Sequence, residues 1–405
     1  MASIHPFRAL RPTPGCAAAV SSVPYDVVNT DEARQMAAGN PLSFLHVTRS
    51  EIDLPPDTDP YSPKVYERAR RNLSALRESA PLVFDETPSL YLYRLKMGAH
   101  EQTGIAGCFS LDEYETDLIK KHERTRRDKE DDRTRHIVET RAQTGVVFLT
   151  YRADAPIDAL AREVTAGELL FDFSAADGVR HTIWRAGVHH SRGIVAAFQA
   201  VPALYIADGH HRAASAARAR GELLNRAGST GDADTFVAVA FPDNQMQILP
   251  YNRTIKDLAG RTPRQFLAAL RQQFEVVDGG PVPAQKGSVS MYLDGKWYAV
   301  DLGGVDPGDS YASSLDVARL QRAVLEEMLN IGDVRTDKRI DFVGGARGTD
   351  ALVQAVDSGK AAVAFSMYPV TIDDLMAIAD SGGIMPPKST WFEPKLRDGL
   401  LTHAL

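Results

Sequence analysis

The chain has 405 residues, of which 44% are hydrophobic and 24% charged, which is typical of a globular protein with two or three domains. Its formal net charge of -7 argues against non-specific nucleic-acid binding, because that affinity comes mainly from a cationic surface. We expect a cytoplasmic protein without a membrane partner, since the sequence has no signal-peptide pattern, no apolar run of roughly 18 residues and only two widely separated cysteines.

The first part of the sequence predicts a mixture of helices and strands. A turn at residues 23–26 precedes a helix, and the proline-rich acidic loop at residues 53–63 marks a boundary. Apolar residues between 65 and 76 recur at helical spacing, while residues 89–96 and 102–111 predict a strand hairpin. We expect the helix to pack on the hairpin.

Further strands are predicted at residues 144–151, 169–173 and 181–184. Residues 204–206 predict a strand that leads directly into the motif Asp-Gly-His-His-Arg. The alanine-rich run at residues 213–219 then favours a helix that can lie close to a sheet. The sequence therefore predicts a strand-turn-helix unit around this motif.

The C-terminal part predicts a hairpin at residues 288–302, a long helix with one apolar face over residues 315–328, and alternating strands and helices over residues 339–380. Prolines then keep residues 385–390 out of regular structure, and we expect residues 385–392 to form a substrate-binding loop. Together the elements predict a mixed α+β fold in three parts, which are an N-terminal α+β region (1–85), a core (86–260) and a C-terminal α/β subdomain (261–405).

The sharpest motif is Asp208, Gly209, His210, His211 and Arg212. The N-terminus of a helix attracts anions, Arg212 can bind phosphate oxygens, and Asp208 can hold a divalent cation. Gly209 lets the main chain approach a ligand closely, and a histidine can donate to a phosphoryl oxygen or align an acceptor. A purely structural alternative also stands, in which Asp208 caps the helix and pairs with Arg212 on the surface.

Two other segments offer polar groups. Glu123 could act as a general base toward a hydroxyl, or be an ordinary surface glutamate; the second histidine of a zinc-protease HExxH motif is missing here. Lys388, Ser389 and Thr390 could hold a substrate carboxylate or phosphate, or simply end a chain held by prolines. The mixed charges of residues 120–135 are typical of a solvated helix, and the P-loop, dinucleotide-binding and GxSxG motifs do not occur.

Three segments, in the same order, resemble motifs of the archaeal free-serine kinases of the ParB/sulfiredoxin superfamily. They are residues 122–123 (His-Glu), 208–212 (Asp-Gly-His-His-Arg) and 387–390 (Pro-Lys-Ser-Thr). The chain is also similar to DUF1015, a large bacterial family of unknown function. The resemblance implies that the core is a ParB/sulfiredoxin-like nucleotide-binding fold.

The resemblance further implies phosphoryl transfer from ATP or ADP, with Mg²⁺, to free L-serine or a similar small metabolite that carries a hydroxyl. It implies that Glu123 is the base and that residues 208–212 bind the phosphates, with Asp208 as metal ligand and with Asp208 and His211 among the catalytic groups. Lys388, Ser389 and Thr390 would hold the amino acid. The interval between Glu123 and Asp208 is longer than in the kinases, and residues 391–392 (Trp-Phe) stand where the kinases carry a histidine.

Two other functions stay open on the sequence. A ParB-like nucleotide-dependent DNA-binding or regulatory protein would use the basic residues between 124 and 135. A nucleotide-binding protein without turnover would keep the phosphate site alone.

Overall fold

The computed structural model describes residues 1–79, 81–227, 231–306 and 308–405. The chain forms two compact units, Met1–Met246 with Pro394–Leu405, and Gln247–Glu393. The expected mixed α+β fold is confirmed. The units differ from the three expected regions, because residues 1–85 share the first unit with the core, and the boundary expected after residue 260 lies inside the second unit.

The helices of the described residues follow the apolar spacing of the sequence. In the helix that begins with Pro63, the predicted positions Val65, Ala69, Leu73 and Leu76 are all buried. The α-helices are α1 (Ala17–Val20), α2 (Thr30–Ala37), α3 (Leu45–Thr48), α4 (Pro63–Glu78), α5 (Leu111–Glu115), α6 (Arg127–Thr140), α7 (Ala155–Thr165), α8 (Val188–Phe198), α9 (His210–Ala227), α10 (Pro263–Gln273), α11 (Asp316–Leu320), α12 (Asp350–Asp357) and α13 (Ile372–Asp380).

The strands lie mainly in one large sheet in each unit. They are β1 (Ile4–His5), β2 (Leu10–Pro12), β3 (Leu82–Phe84), β4 (Tyr91–Met97), β5 (His100–Ser110), β6 (Ile119–Lys120), β7 (Ala142–Gln143), β8 (Val147–Tyr151), β9 (Leu169–Ser174), β10 (Arg180–Arg185), β11 (Leu204–Asp208), β12 (Thr235–Pro242), β13 (Ile248–Leu249), β14 (Tyr251–Ile255), β15 (Glu275–Asp278), β16 (Ser288–Leu293), β17 (Lys296–Asp301), β18 (Ile340–Gly344), β19 (Val363–Met367), β20 (Trp391–Phe392) and β21 (His403–Ala404).

The large sheet of the first unit has the strand order β6-β11-β8-β12-β5-β4-β10-β9, and β1 also pairs with β5. The predicted hairpin is confirmed, since Met97 lies opposite His100 at its turn. Strands β6 and β11 are parallel, as are β8 and β12, and the other pairs are antiparallel. Helix α9 packs on β8 and β12, where Ala213 and Ala216 enter the buried apolar core.

The mixed-charge segment over residues 120–135 differs from the expected solvated helix. Its first residues belong to β6, and helix α6 begins only at Arg127. Helix α6 packs against α4 and α9 and buries Asp132, Thr134 and His136. The sequence did not indicate this burial, because polar side chains here replace the apolar stripe that normally marks a packed face.

The second unit contains an antiparallel six-stranded sheet with the order β15-β17-β16-β19-β14-β18. The hairpin predicted around Asp294 and Gly295 is confirmed, and both residues have positive φ. The long helix expected over residues 315–328 is shorter, because α11 passes at Gln321–Glu326 into a π-helical turn. None of the described helices combines the length and the apolar character that crossing a bilayer requires.

Candidate functional site

The junction between β11 and α9 carries the motif at residues 208–212. Strand β11 lies between β6 and β8, and its Leu204 and Ile206 are fully buried. Gly209 follows with a φ of +96°, which glycine adopts far more easily than other residues. Its carbonyl accepts the backbone N–H of Ala213, so Gly209 and not Asp208 caps the helix. The predicted strand-turn-helix is confirmed.

Strand β6 brings His122 and Glu123 beside this junction. Because β6 and β11 pair in parallel, with Ile119 opposite Leu204, the residues that follow the two strands run side by side. The backbone N–H of His122 donates to Nε2 of His210 across 3.4 Å, and the two rings meet edge to face with 4.5 Å between centroids. One ring nitrogen of each histidine and a carboxylate oxygen of Glu123 lie within 4.8 Å of one another.

The two histidines of this group are neutral near pH 7. Burial lowers the pKa of His122 to about 4, and the negative charge of Asp208 acts in the opposite direction. Burial also holds the pKa of His210 well below its ordinary value, and the neighbouring His122 lowers it further. Each ring therefore keeps one nitrogen that can accept a hydrogen bond or bind a metal.

Asp208 is paired with a lysine that the sequence analysis missed. Nζ of Lys395 donates to Oδ2 of Asp208 at 2.8 Å. Although burial raises the pKa of Asp208, the charges of Lys395 and Arg212 outweigh it and hold that pKa below its ordinary value. Lys395 belongs to the segment Pro394–Leu405, which is part of the first unit. No motif surrounds it in the sequence, so only the fold identifies it.

Arg212 is buried and is not displayed on the helix surface. Its Nη2 donates to Oδ1 and Oδ2 of Asp26 at 2.8 and 2.9 Å, and its Nη1 donates to the carbonyl of Val146 at 2.8 Å. Its guanidinium carbon also lies 5.8 Å from the ring centre of Tyr25. The structural alternative, in which Arg212 pairs with Asp208 on the surface, is therefore wrong, because the carboxylate that Arg212 binds is that of Asp26 in the N-terminal turn.

His211 contacts the segment that precedes α6. Its Nε2 accepts the backbone N–H of Arg126 at 2.9 Å. Burial lowers the pKa of His211, while the negative charges of Asp26 and Glu130 act in the opposite direction. An imidazole that accepts at Nε2 is neutral and carries its proton at Nδ1. His211 therefore links the start of α9 to the segment that follows Glu123.

A second carboxyl that the sequence analysis missed is Asp398. Its backbone N–H donates to the carbonyl of Ser22 at 2.9 Å, and its Oδ2 is buried with no hydrogen-bond partner among the described residues. Burial raises the pKa of Asp398 to about 7. The positive charge of Arg212 lowers this pKa, and the negative charge of Asp26 raises it. This carboxyl therefore changes its charge near neutral pH.

Lys388, Ser389 and Thr390 lie in the second unit. Lys388 is exposed, and its carbonyl accepts a hydrogen bond from Nη2 of Arg253 at 3.0 Å. Ser389 is buried, and its hydroxyl donates to the carbonyl of Pro386 at 2.6 Å. The Ser389 hydroxyl is therefore already used within the loop. Substrate binding by these three residues stays a prediction.

Residues 4–318 match the family described as "protein of unknown function (DUF1015)". The chain belongs to the DUF1015 family. The membership that the sequence indicated is thereby confirmed. The match to DUF1015 includes Glu123 and residues 208–212, and it ends before Lys388.

Solved structures that resemble this DUF1015 chain are distant from it. They include a mutant free serine kinase in complex with AMP, a conserved hypothetical protein from Pyrococcus furiosus, and SbnI with a C-terminal truncation from Staphylococcus aureus. Their identities are 15%, 14% and 11%, with TM-scores of 0.37, 0.35 and 0.39. The likeness covers 71%, 72% and 73% of this chain and 87%, 93% and 86% of theirs. A comparison with curated proteins finds no match.

Proposed function

We propose that this protein is a nucleotide-dependent phosphotransferase that acts on free L-serine or a similar small metabolite with a hydroxyl group. The observation that carries the proposal is the meeting of Glu123 with His210, whose ligand atoms lie within 4.8 Å. The carboxylate of Glu123 therefore lies beside His210, the first residue of α9, although the two residues are far apart in the sequence. These are also two of the three segments that resemble the free-serine kinases.

In this proposal the N-terminus of α9 binds the nucleotide phosphates. The first N–H groups of a helix have no partner within the helix, and its dipole favours negative charge at this end. Arg212, in the first turn of α9, adds positive charge, although its hydrogen bonds go to Asp26 and Val146. His210 and His211 lie at the same helix end, and in this proposal they donate to phosphoryl oxygens.

A magnesium ion fits this proposal as the partner of the nucleotide. Asp208 offers the oxygen ligand that Mg²⁺ prefers, but its Oδ2 already accepts from Lys395. A magnesium ion at Asp208 would therefore share the carboxylate with Lys395 or displace it. When held by Asp208, Mg²⁺ would neutralise negative charge on the nucleotide phosphates.

Glu123 is the proposed general base. It is half-buried, so its carboxylate can be reached by a small acceptor and is partly desolvated. Proton transfer to a positioned carboxylate typically contributes ~10²–10⁴ in rate.

The proposal is tested by incubating the purified protein with L-serine, Mg²⁺ and either ATP or ADP, and measuring O-phosphoserine by mass spectrometry. We expect product with at least one donor. No product with either donor, for serine and for a panel of other hydroxyl-bearing metabolites, contradicts the proposal. Nucleotide binding in a calorimeter without any product would instead favour a protein that binds nucleotide without turnover.

We do not propose DNA binding by the basic residues between 124 and 135, because the net charge is -7 and acidic neighbours bind two of them. Arg126 pairs with Asp128 at 2.8 Å, and Arg133 pairs with Asp132 at 2.9 Å. A gel shift whose affinity falls steeply with salt would reverse this conclusion, since phosphate contacts release counterions.

A further inference from the structure

We propose that His122, Glu123 and His210 bind a divalent transition metal such as Zn²⁺, with a set of ligands that does not include Asp208. Two imidazole nitrogens and one carboxylate oxygen lie within 4.8 Å of one another there. The proposal does not rest on the proposed kinase activity, because metal binding can be measured without nucleotide or acceptor.

The backbone holds these three residues close together. The parallel pairing of β6 with β11 places His122 and Glu123 next to the turn at Gly209, and His210 is the first residue of α9. On a zinc ion with bonds of ~2.0–2.2 Å, two ligand atoms lie about 3.5 Å apart at tetrahedral angles. Small rotations of the side chains therefore bring the three ligand atoms to bonding distance.

A second observation points to a ligand at this place. Nδ1 of His122 is buried and has no hydrogen-bond partner among the described residues. The His122 side chain as a whole is only 2% exposed. Buried polar atoms normally have a partner, because their desolvation is otherwise uncompensated. A bound metal ion is a partner that an imidazole nitrogen can take.

The ligand types decide which class of metal fits. Imidazole suits zinc, cobalt and nickel, whereas magnesium prefers oxygen ligands in octahedral geometry. Three protein ligands leave one position open, as in zinc sites that bind water or a substrate. Glu123 is half-buried, which provides a path from solvent.

The experiment titrates chelator-treated full-length protein with Co²⁺ and follows the visible d–d absorption, and then titrates it with Zn²⁺ by calorimetry. We expect one ion per chain, with intense bands typical of a four-coordinate nitrogen-containing site, and no displacement by excess Mg²⁺. His122→Gln, Glu123→Gln and His210→Gln should each weaken binding by at least about tenfold, as expected for loss of a ligand. Stoichiometric binding that is unchanged in all three variants, or no binding by the wild type, overturns the proposal.

Two controls separate this site from other histidines. His136→Gln removes a buried histidine whose Nε2–H donates to the carbonyl of Val47 at 3.0 Å, and it should leave metal binding unchanged. The double change His189→Ala with His190→Ala removes a surface pair, and loss of binding there would assign the metal to the surface and overturn the proposal. If the His122 and His210 variants do not fold, X-ray absorption spectroscopy of the Co²⁺-loaded wild type tests the site by counting the imidazole ligands on the metal. We expect two imidazole ligands, and fewer than two would contradict the proposal.

Discussion

One guanidinium nitrogen of Arg212 donates to both carboxylate oxygens of Asp26, at 2.8 and 2.9 Å, although 186 positions separate the residues in the sequence. The Arg212 side chain is 6% exposed and that of Asp26 is 36% exposed. The N-terminal region therefore supplies the negative charge that balances an arginine in the first turn of α9. A nucleotide phosphate at this helix end would meet a cation that already has a carboxylate partner.

Asp26→Asn is expected to strengthen nucleotide binding and to lower the stability of the unliganded protein. Without the carboxylate of Asp26, Nη2 of Arg212 loses its charged hydrogen-bond partner, and a phosphate can take that place. A charge-assisted hydrogen bond is worth about 1.5–3 kcal/mol, or about tenfold or more in affinity. Calorimetry with ADP and ATP, and thermal unfolding with and without nucleotide, measure both effects. Asp31→Asn is the matched control, because Asp31 is exposed and pairs with Arg34 at 3.0 Å. Weaker nucleotide binding in Asp26→Asn would show instead that Asp26 positions Arg212 for the phosphate.

Glu123→Gln is expected to reduce turnover by ~10²–10⁴ while nucleotide affinity is retained, because the amide keeps the shape but cannot accept the proton. Single-turnover product formation and calorimetry separate the two quantities. Glu139→Gln serves as control, since Glu139 lies in the same unit and pairs with Arg70 at 3.1 Å. Undiminished turnover in Glu123→Gln would refute its assignment as the base.

Lys395→Met is expected to weaken nucleotide binding by about tenfold or more, because it leaves the Asp208 carboxylate unneutralised beside the proposed phosphate site. Nucleotide dissociation constants for wild type and variant provide the measurement. Lys286→Met breaks a comparable pair, in which Lys286 lies 2.6 Å from Asp374 in the second unit. Equal losses of affinity in the two variants would indicate a general loss of stability and no specific role for Lys395.

Asp398→Asn is expected to change how stability depends on pH. The pKa of Asp398 is raised to about 7 by burial. A carboxyl whose pKa is raised by folding contributes to the free energy of unfolding while it is protonated. This contribution is complete below about pH 4. It is lost as the pH rises to about 7, at about 1.4 kcal/mol per pH unit. The asparagine variant should therefore gain thermal stability relative to wild type between about pH 5 and pH 8.

At each pH, subtracting the melting temperature of the wild type from that of the variant removes the effect of the buried histidines, which changes stability with pH in the opposite direction. Burial lowers the pKa of His136 to about 4, so its contribution to stability is lost as the pH falls from its ordinary pKa. A difference between the melting temperatures of Asp398→Asn and wild type that does not vary with pH would show that Asp398 is ionised throughout this range.

The sequence alone determined the elements whose signals are local. Apolar spacing located α4, alternation and turn residues located the hairpins, and the run from Leu204 to Ala219 specified a strand, a tight turn and a helix. These signals depend on periodicity and on glycine conformations within a few residues, so they survive without knowledge of the fold. The same locality explains why the Asp-Gly-His-His-Arg motif could be placed at a helix start.

Only the tertiary structure decided which side chains meet at that helix. The zinc-protease interpretation failed in the sequence because no second histidine follows His122 at helical spacing, yet the parallel pairing of β6 and β11 brings His210 beside it. Asp26 and Lys395 reach the motif from opposite ends of the chain. No local sequence pattern identifies these partners. They lie near the motif because distant strands pair and because buried charges need oppositely charged partners, which come from other parts of the folded chain.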